Sequence, residues 1–155
     1  MSDTPTVHAS FTIDRTFDAT PDRVFAAFAT AEGKARWFSG PPGWAPIERV
    51  FDFRVGGRER AMGRWPSGMV TDFDATYFDI VPDRRIVYAY AMKMDEVRIS
   101  VSLATIELFA QGAGTRMLLT EQGAFVDGYV DGTGGSTREH GTRYLMDQLA
   151  ASLGG

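Results

Sequence analysis

The chain has 155 residues, of which 44% are hydrophobic and 23% charged, so we expect one globular domain, 1–155, with a sizeable core. Its formal net charge of −4 disfavours nucleic-acid binding, and the absence of cysteine excludes disulfides and thiolate chemistry. No apolar run reaches the ~18 residues of a membrane span. Residues 1–10 lack a signal-peptide pattern, which predicts a cytoplasmic location, and residues 1–7 are expected to form a loose tail.

The first third of the chain predicts a strand followed by helices. Apolar and polar residues alternate over residues 11–17, which is typical of a half-buried strand. Thr20 and Pro21 suit the N-cap and the first position of a helix. Glu32-Gly33 is expected to end that helix, and a second short helix is expected over residues 34–38.

From Ile47 to Gln122 the apolar period changes to two, and turn residues divide the segment into six strands. One strand carries a long apolar stripe, Ile86, Tyr88, Tyr90, Met92 and Met94. The next strand has the stripe Val97, Ile99, Val101 and Leu103, opposite Arg98, Ser100 and Ser102. Turns between consecutive strands predict an antiparallel sheet.

The end of the chain predicts a loop and one long helix. Residues 123–135 are rich in Gly and Asp, and Ser136 to Glu139 fits a capping box in which the Ser side chain reaches an amide and the Glu reaches back. Thr142, Leu145, Met146, Leu149 and Leu153 then recur at helical spacing. Because the helices are segregated from the strands, the fold class is α+β.

This order of elements, β-α-α-β6-α, resembles the helix-grip fold of the START-like or SRPBCC superfamily, which includes the birch pollen allergen. The likeness is greatest to the activator of heat-shock-protein-90 ATPase homologue-like family. The residues that carry it are Arg15 to Pro21 with Val24-Phe25, Trp37-Phe38, Phe53 to Gly57, Pro82 to Tyr88 and Gly114 to Arg116. The resemblance implies a curved antiparallel sheet wrapped around a long C-terminal helix, with an internal cavity between them.

Several side chains are expected to line that cavity. They are Trp37, Phe53, Trp65, Tyr77, Tyr88, Tyr90, Met92, Glu121, Arg138, Thr142, Leu145 and Leu149. The Tyr and Met stripe either lines a pocket for a flat apolar ligand or is plain core. Trp37, Trp44 and Trp65 either guard a cavity end or simply pack, and packing is favoured.

Two charged residues are the candidates for chemistry. Glu121 becomes a carboxyl group in an apolar pocket, and a candidate acid or base, if it faces inward with Met117 and Leu119; otherwise it is solvated. Arg138 falls on the apolar stripe of the last helix, so it either pairs with Glu121 or an anionic ligand or turns to solvent. His140 is expected on the exposed side of that helix, without a catalytic role.

Arg58, Arg60 and Arg64 share one face of a strand. They form either an anion-binding patch or a solvated outer face, and the second interpretation is favoured because Asp72 and Asp74 can neutralise them. No pair of histidines has metal-ligand spacing, and no nucleotide motif is present, so neither a metal nor a cofactor is expected.

Three functions follow, in this order. The first is non-catalytic binding of a small hydrophobic or aromatic molecule in the cavity. The second is a cyclase or lyase acting on a polyketide-like ligand, with Glu121 moving protons. The third is a co-chaperone-like interaction module. The expected partner is therefore a small hydrophobic molecule, not nucleic acid or a membrane; a homodimer is left open, and a chaperone partner ranks last.

Overall fold

Seven strands and three helices make up the computed structural model, which describes residues 4–132 and 136–154. Their bounds are β1 Val7–Phe17, α1 Pro21–Ala29, α2 Ala31–Ala35, β2 Ala45–Phe51, β3 Arg58–Arg64, β4 Val70–Val81, β5 Arg85–Met94, β6 Val97–Gln111, β7 Gly114–Phe125 and α3 Arg138–Gly154. The first strand starts at Val7, so it takes up the end of the expected tail, whose residues 1–3 lie outside the described part. None of the described helices combines the length and apolar character needed to cross a bilayer.

All strands belong to one antiparallel sheet in the order β1-β7-β6-β5-β4-β3-β2. Consecutive strands from β2 to β7 are neighbours, as the turn residues predict. The strand β1 instead pairs along its whole length with β7, from Val7 opposite Phe125 to Phe17 opposite Thr115. This arrangement, with α3 lying on one face of the curved sheet, confirms the α+β helix-grip fold.

The prediction that Val97, Ile99, Val101 and Leu103 share one face of β6 is wrong, because Ile99 is buried whereas the other three are exposed. Val101 and Leu103 face outward and are 46% and 41% exposed, whereas Ser100 and Ser102 face inward and are buried. The cause is a bulge: Lys93 pairs with Arg98 and Met92 with Ser100, so Ile99 is an extra residue without a partner in the ladder. One extra residue moves every following side chain to the opposite face.

The first two helices are divided at Thr30 rather than at Glu32-Gly33. The helix α1 ends at Ala29, and the Thr30 hydroxyl accepts a 3.0 Å hydrogen bond from the Gly33 amide, which caps α2. The second helix therefore covers Ala31–Ala35 instead of residues 34–38. This shift places Lys34 in the last turn of the helix rather than at its start, and its side chain is buried.

The start of α3 also differs from the expected capping box. The Thr137 hydroxyl, rather than Ser136, accepts a hydrogen bond of 3.1 Å from the His140 amide. The Arg138 amide donates to Asp131 Oδ1 at 2.7 Å, and Glu139 pairs with Arg143 instead of reaching back. Asp131 and Thr137 thus fix the first turn of α3 and the position of Arg138. Residues 133–135 of the expected loop lie outside the described part.

We call the sheet face that α3 covers the inner face, and its core is filled at one end. Val24 and Phe28 of α1 belong to the same buried cluster as Met146 and Leu149 of α3. Burial of such apolar side chains is the main stabilising contribution of the fold, at about 1.5–3 kcal/mol for each large one. Toward the start of α3 the inner face changes to aromatic and polar residues, and the candidate site lies there.

Candidate functional site

An aromatic wall runs along β4 and β5 on the inner face. The Phe73 and Tyr90 ring centroids are 4.7 Å apart, those of Tyr88 and Tyr90 are 6.1 Å apart, and those of Tyr77 and Tyr88 are 5.8 Å apart. Met92 continues the wall beyond Tyr90. Period-two alternation in two neighbouring strands places all these side chains on one face. Such a wall can hold a flat apolar molecule by stacking or edge contacts.

Arg138 reaches the inner face from the first turn of α3. Its Nη1 donates to the Tyr90 hydroxyl at 2.8 Å and to Ser102 at 3.4 Å, and its Nη2 donates to Ser100 at 2.9 Å. The Tyr90 hydroxyl in turn donates to Glu121 Oε2 at 2.8 Å. Nη1 of Arg138 lies 3.8 Å from the same Glu121 oxygen, which is too long for a direct hydrogen bond. Among the described residues, the guanidinium therefore donates only to neutral hydroxyls.

The small residues of β6 and β7 create the space that Arg138 enters. Ser102 lies opposite Gly123 in the ladder, and a Cβ atom at Gly123 would approach the Ser102 hydroxyl to 2.9 Å. The Arg138 guanidinium carbon lies 5.2 Å from the Phe125 ring centre and 5.5 Å from that of Tyr90. The arginine is thus held between two aromatic rings, a geometry that stabilises a cation.

The surroundings of Glu121 make its carboxyl group harder to ionise than a carboxyl group in water. Burial raises the pKa of its carboxyl group above the ordinary value, and the Tyr90 hydrogen bond and the Arg138 charge only partly offset that rise. Burial likewise raises the pKa of the Tyr90 hydroxyl. For Arg138, burial lowers the pKa, but Tyr90 and Glu121 more than compensate, so the guanidinium stays charged. The site therefore combines a cation with a carboxyl group whose pKa is raised.

The Tyr88 hydroxyl is the polar group of the wall that lacks a partner. No hydrogen bond joins it to any residue in the described ranges, and the side chain is half-buried. Its neighbours in the wall are Tyr77 and Tyr90, and burial raises its pKa well above the ordinary value. A tyrosine that is surrounded by rings but keeps a free, partly exposed hydroxyl is available to a ligand.

A second buried polar cluster lies where α2 meets β2 and β3. Glu59 is 1% exposed, and its two oxygens accept from Lys34 Nζ at 3.0 Å and from Arg49 Nη1 at 2.8 Å. The Tyr77 hydroxyl also donates to it. The Lys34 ammonium lies within 4.6–6.0 Å of four ring centres, those of Phe28, Trp37, Phe38 and Phe51.

The two ends of this ion pair have pKa values shifted in the same direction. Burial lowers the pKa of the Lys34 ammonium, with Glu59 opposing that change. Burial alone would raise the pKa of Glu59, but the Lys34 charge, the Tyr77 hydroxyl and Arg49 lower it. Glu59 is therefore an ionised carboxylate that joins α2, β2 and β4 to its own strand, β3. Sequence reasoning missed this cluster, although Glu59 alternates with period two together with Ala61 and Gly63, which face inward on β3.

Of the residues expected to line the cavity, five come together around the polar end of the wall: Tyr88, Tyr90, Met92, Glu121 and Arg138. Tyr77 extends the wall, but its hydroxyl belongs to the Glu59 cluster. Thr142 and Leu145 follow Arg138 along α3 and are half-buried, and the Thr142 hydroxyl donates to the Arg138 carbonyl at 2.9 Å. Leu149 is fully buried in the core at the filled end.

Trp37, Phe53 and Trp65 lie away from Arg138 and belong to packing. Trp37 is buried, and its Nε1 donates to the Ala27 carbonyl at 2.9 Å, which anchors the turn after α2 to α1. The Phe53 ring centre lies 4.9 Å from that of Tyr77, at the edge of the core. Trp65 Nε1 donates to Thr71 at 2.8 Å in the β3–β4 hairpin.

On the outer face, charges and apolar groups are separated. Arg58 pairs with Asp74 and Arg60 with Asp72, each through two hydrogen bonds of 2.8–3.0 Å, so these two arginines are neutralised as the sequence indicates. Arg64 instead donates to the Gly68 carbonyl at 3.1 Å. A shallow depression of about 450 Å³ lies elsewhere on this face and includes the outward Leu103.

His140 is exposed on α3, as predicted. In the described ranges, no group of three acidic or histidine side chains is placed to hold a metal.

Comparisons with solved structures give relatives of the same fold. The Mll3558 protein from Rhizobium loti is 46% identical, with 96% of this chain and 99% of that chain covered and a TM-score of 0.85. A protein from Rhizobium leguminosarum described as uncharacterised is 41% identical, with 97% of each chain covered and a TM-score of 0.90. An AHSA1-like protein from Aeromonas hydrophila is 16% identical, covers 94% of this chain and 92% of its own, and at a TM-score of 0.66 shows the shared fold alone.

The family itself is identified by sequence. No curated protein matches the chain. The profile of the family described as activator of Hsp90 ATPase homolog 1-like protein matches residues 18–154, which takes in every element from α1 to α3. The expected resemblance is thereby confirmed, and the chain belongs to the AHSA1-like family of the START-like superfamily.

Proposed function

We propose that this protein binds a small apolar or aromatic molecule between the inner face of the sheet and the first turns of α3, without transforming it. The observation that carries the proposal is the free Tyr88 hydroxyl in a wall of aromatic rings, close to a buried but partly accessible Arg138. Binding sites for small molecules combine an apolar lining with a few oriented polar groups. The wall supplies the first, and Tyr88 and Arg138 supply the second.

Native mass spectrometry of the purified protein tests the proposal directly. We expect a bound small molecule whose mass is lost on denaturation, and thermal stabilisation by aromatic compounds that compete with it. Failure of both measurements across a broad panel of aromatic compounds contradicts the proposal.

A matched pair of variants locates the site. Met92→Trp places an additional ring at the end of the wall and should abolish the thermal shift by filling the space. Leu103→Trp places the same ring on the outer face, where Leu103 is exposed, and should leave the shift unchanged. The opposite result would move the site to the outer face.

A cyclase or lyase activity is the second candidate, and the raised pKa of Glu121 favours it. A buried carboxyl group that holds its proton can act as a general acid, and Tyr90 orients it through the 2.8 Å hydrogen bond. The test is turnover of polyketide-like substrates by the wild type and by Glu121→Gln. Loss of turnover in the variant supports an enzyme, whereas equal rates remove Glu121 as the acid.

A further inference from the structure

The charge around Arg138 narrows the chemical class of ligand. Its guanidinium has five N–H donors. The three hydrogen bonds that it makes to described residues all go to hydroxyl groups. In the second cluster, by contrast, Lys34 and Arg49 both contact the Glu59 carboxylate directly. Arg138 is thus a buried cation that lacks a carboxylate in direct contact within the described ranges.

Resting on the binding function proposed above, we propose that the ligand is an aromatic acid whose anionic group binds the Arg138 guanidinium, and that it binds most tightly when Glu121 is protonated. Arginine recognises carboxylates and sulfonates through paired N–H donors in one plane. The Tyr88 hydroxyl and the rings of the wall hold the aromatic body of the same ligand. A neutral Glu121 removes the only inner-face negative charge within 4 Å of the guanidinium that the described residues provide.

The dependence on pH follows from the groups that face Glu121. The charged or titratable ones are Arg138 from α3, Tyr88 and Tyr90 from β5, and Asp131 from the loop after β7. The neighbouring strands β1 and β6 present Phe11 and Ala104, which carry no charge, at the paired positions. An ionised Glu121 would repel a bound anion and compete for Arg138, so anion binding favours proton uptake by Glu121.

Two fluorescent probes with one aromatic body separate this proposal from the binding function itself. Anilinonaphthalene sulfonate carries an acid that stays ionised at all pH values used, and phenylnaphthylamine lacks it. We expect the sulfonate to bind about tenfold more tightly, and Arg138→Gln to remove that advantage while changing the affinity of the neutral probe less than about twofold. Arg143→Gln, an exposed arginine on the same helix, is the matched control and should change neither.

A pH series provides the second measurement and needs no Arg138 variant. From about pH 5 to about pH 8, the affinity of the wild type for the sulfonate should fall, whereas Glu121→Gln should bind it with nearly constant affinity. A flat wild-type profile overturns the proposed role of Glu121.

The remaining outcomes are equally decisive. Equal affinity for both probes, unchanged in Arg138→Gln, overturns the preference for acids but leaves the aromatic site standing. Binding of neither probe counts against the binding function as well. Sulfonate binding that is lost in Leu103→Asn but kept in Arg138→Gln places the probe on the outer face and overturns the proposal.

Discussion

Glu59 and Glu121 are both buried on the inner face of one sheet, yet their surroundings shift their pKa values in opposite directions. Glu59 has two cationic groups at 2.8–3.0 Å and a tyrosine hydroxyl, which together lower its pKa. Glu121 has one tyrosine hydroxyl at 2.8 Å and a guanidinium at 3.8 Å, and burial raises its pKa. Burial is common to both, so the number and distance of the cations decide the direction.

The difference separates a structural cluster from a site. An ionised Glu59 neutralises buried cations and joins α2 to β2 and β3. Both of its oxygens already accept hydrogen bonds from these cations, so neither is available to a ligand. The Tyr90 hydroxyl contacts both Glu121 and Arg138, which leaves a carboxyl group of raised pKa beside a cation that no described carboxylate contacts within hydrogen-bond distance. Polar groups held in this way are typical of binding and catalytic sites.

The largest loss of stability should come from removing the Glu59 charge. Glu59→Gln leaves the Lys34 ammonium buried among rings without a carboxylate, and we expect a loss of about 3–5 kcal/mol in the free energy of unfolding. Urea denaturation near neutral pH measures it.

Glu121→Gln is the matched variant. The amide is a neutral group of nearly the same shape that can still accept from the Tyr90 hydroxyl, and burial already disfavours the charged form of Glu121, so the expected loss is below about 1 kcal/mol. Equal losses for the two variants would contradict the distinction between the two carboxyl groups.

Removing the hydroxyl of either tyrosine that donates to these carboxyl groups should have a smaller effect on stability, and the two losses should differ. Tyr77→Phe removes a hydrogen bond to an ionised, fully enclosed group and should cost about 1.5–3 kcal/mol. Tyr90→Phe should cost less than about 1.5 kcal/mol, because Arg138 can then close the 3.8 Å gap and contact Glu121 directly. Thermal and urea unfolding of both variants check the order. A larger loss for Tyr90→Phe would show that the Arg138 cluster, rather than the Glu59 cluster, stabilises the sheet.

Much of the fold could be predicted because its signals are local. Gly56-Gly57 and Pro82-Asp83 mark turns within a few residues, and the change to a period of two marks the strands. The faces of β6 could not be predicted, since the bulge at Ile99 depends on pairing with β5 and leaves no local signature. Val101 and Leu103 suit an inner face by composition, and only the ladder shows that they point outward.

The Arg138 cluster could be predicted from local sequence patterns, whereas the Glu59 cluster could not. Glu121 could be found because it continues the inward alternation of Met117 and Leu119, and Arg138 because it lies on the apolar stripe of α3. Lys34 could not, since a lysine in a five-residue helix looks like a surface residue. Its burial depends on Glu59, which is 25 residues away in the sequence.

The smallest and most specific effect is the pH dependence of stability. The folded pKa of Glu121 lies above its ordinary value of 4.5, so its contribution is complete below that pH and is lost as the pH rises through the folded pKa. Glu121→Gln should therefore gain stability relative to the wild type as the pH rises from about 4 to about 7. The folded pKa of Glu59 is lowered, so its contribution to stability is complete above pH 4.5 and is lost as the pH falls through the folded pKa. The stability deficit of Glu59→Gln relative to the wild type should therefore shrink only in acid. Urea unfolding of both variants from about pH 2 to about pH 7 measures the two trends, and a pH-independent difference for Glu121→Gln would show that Glu121 titrates like a solvated carboxyl group.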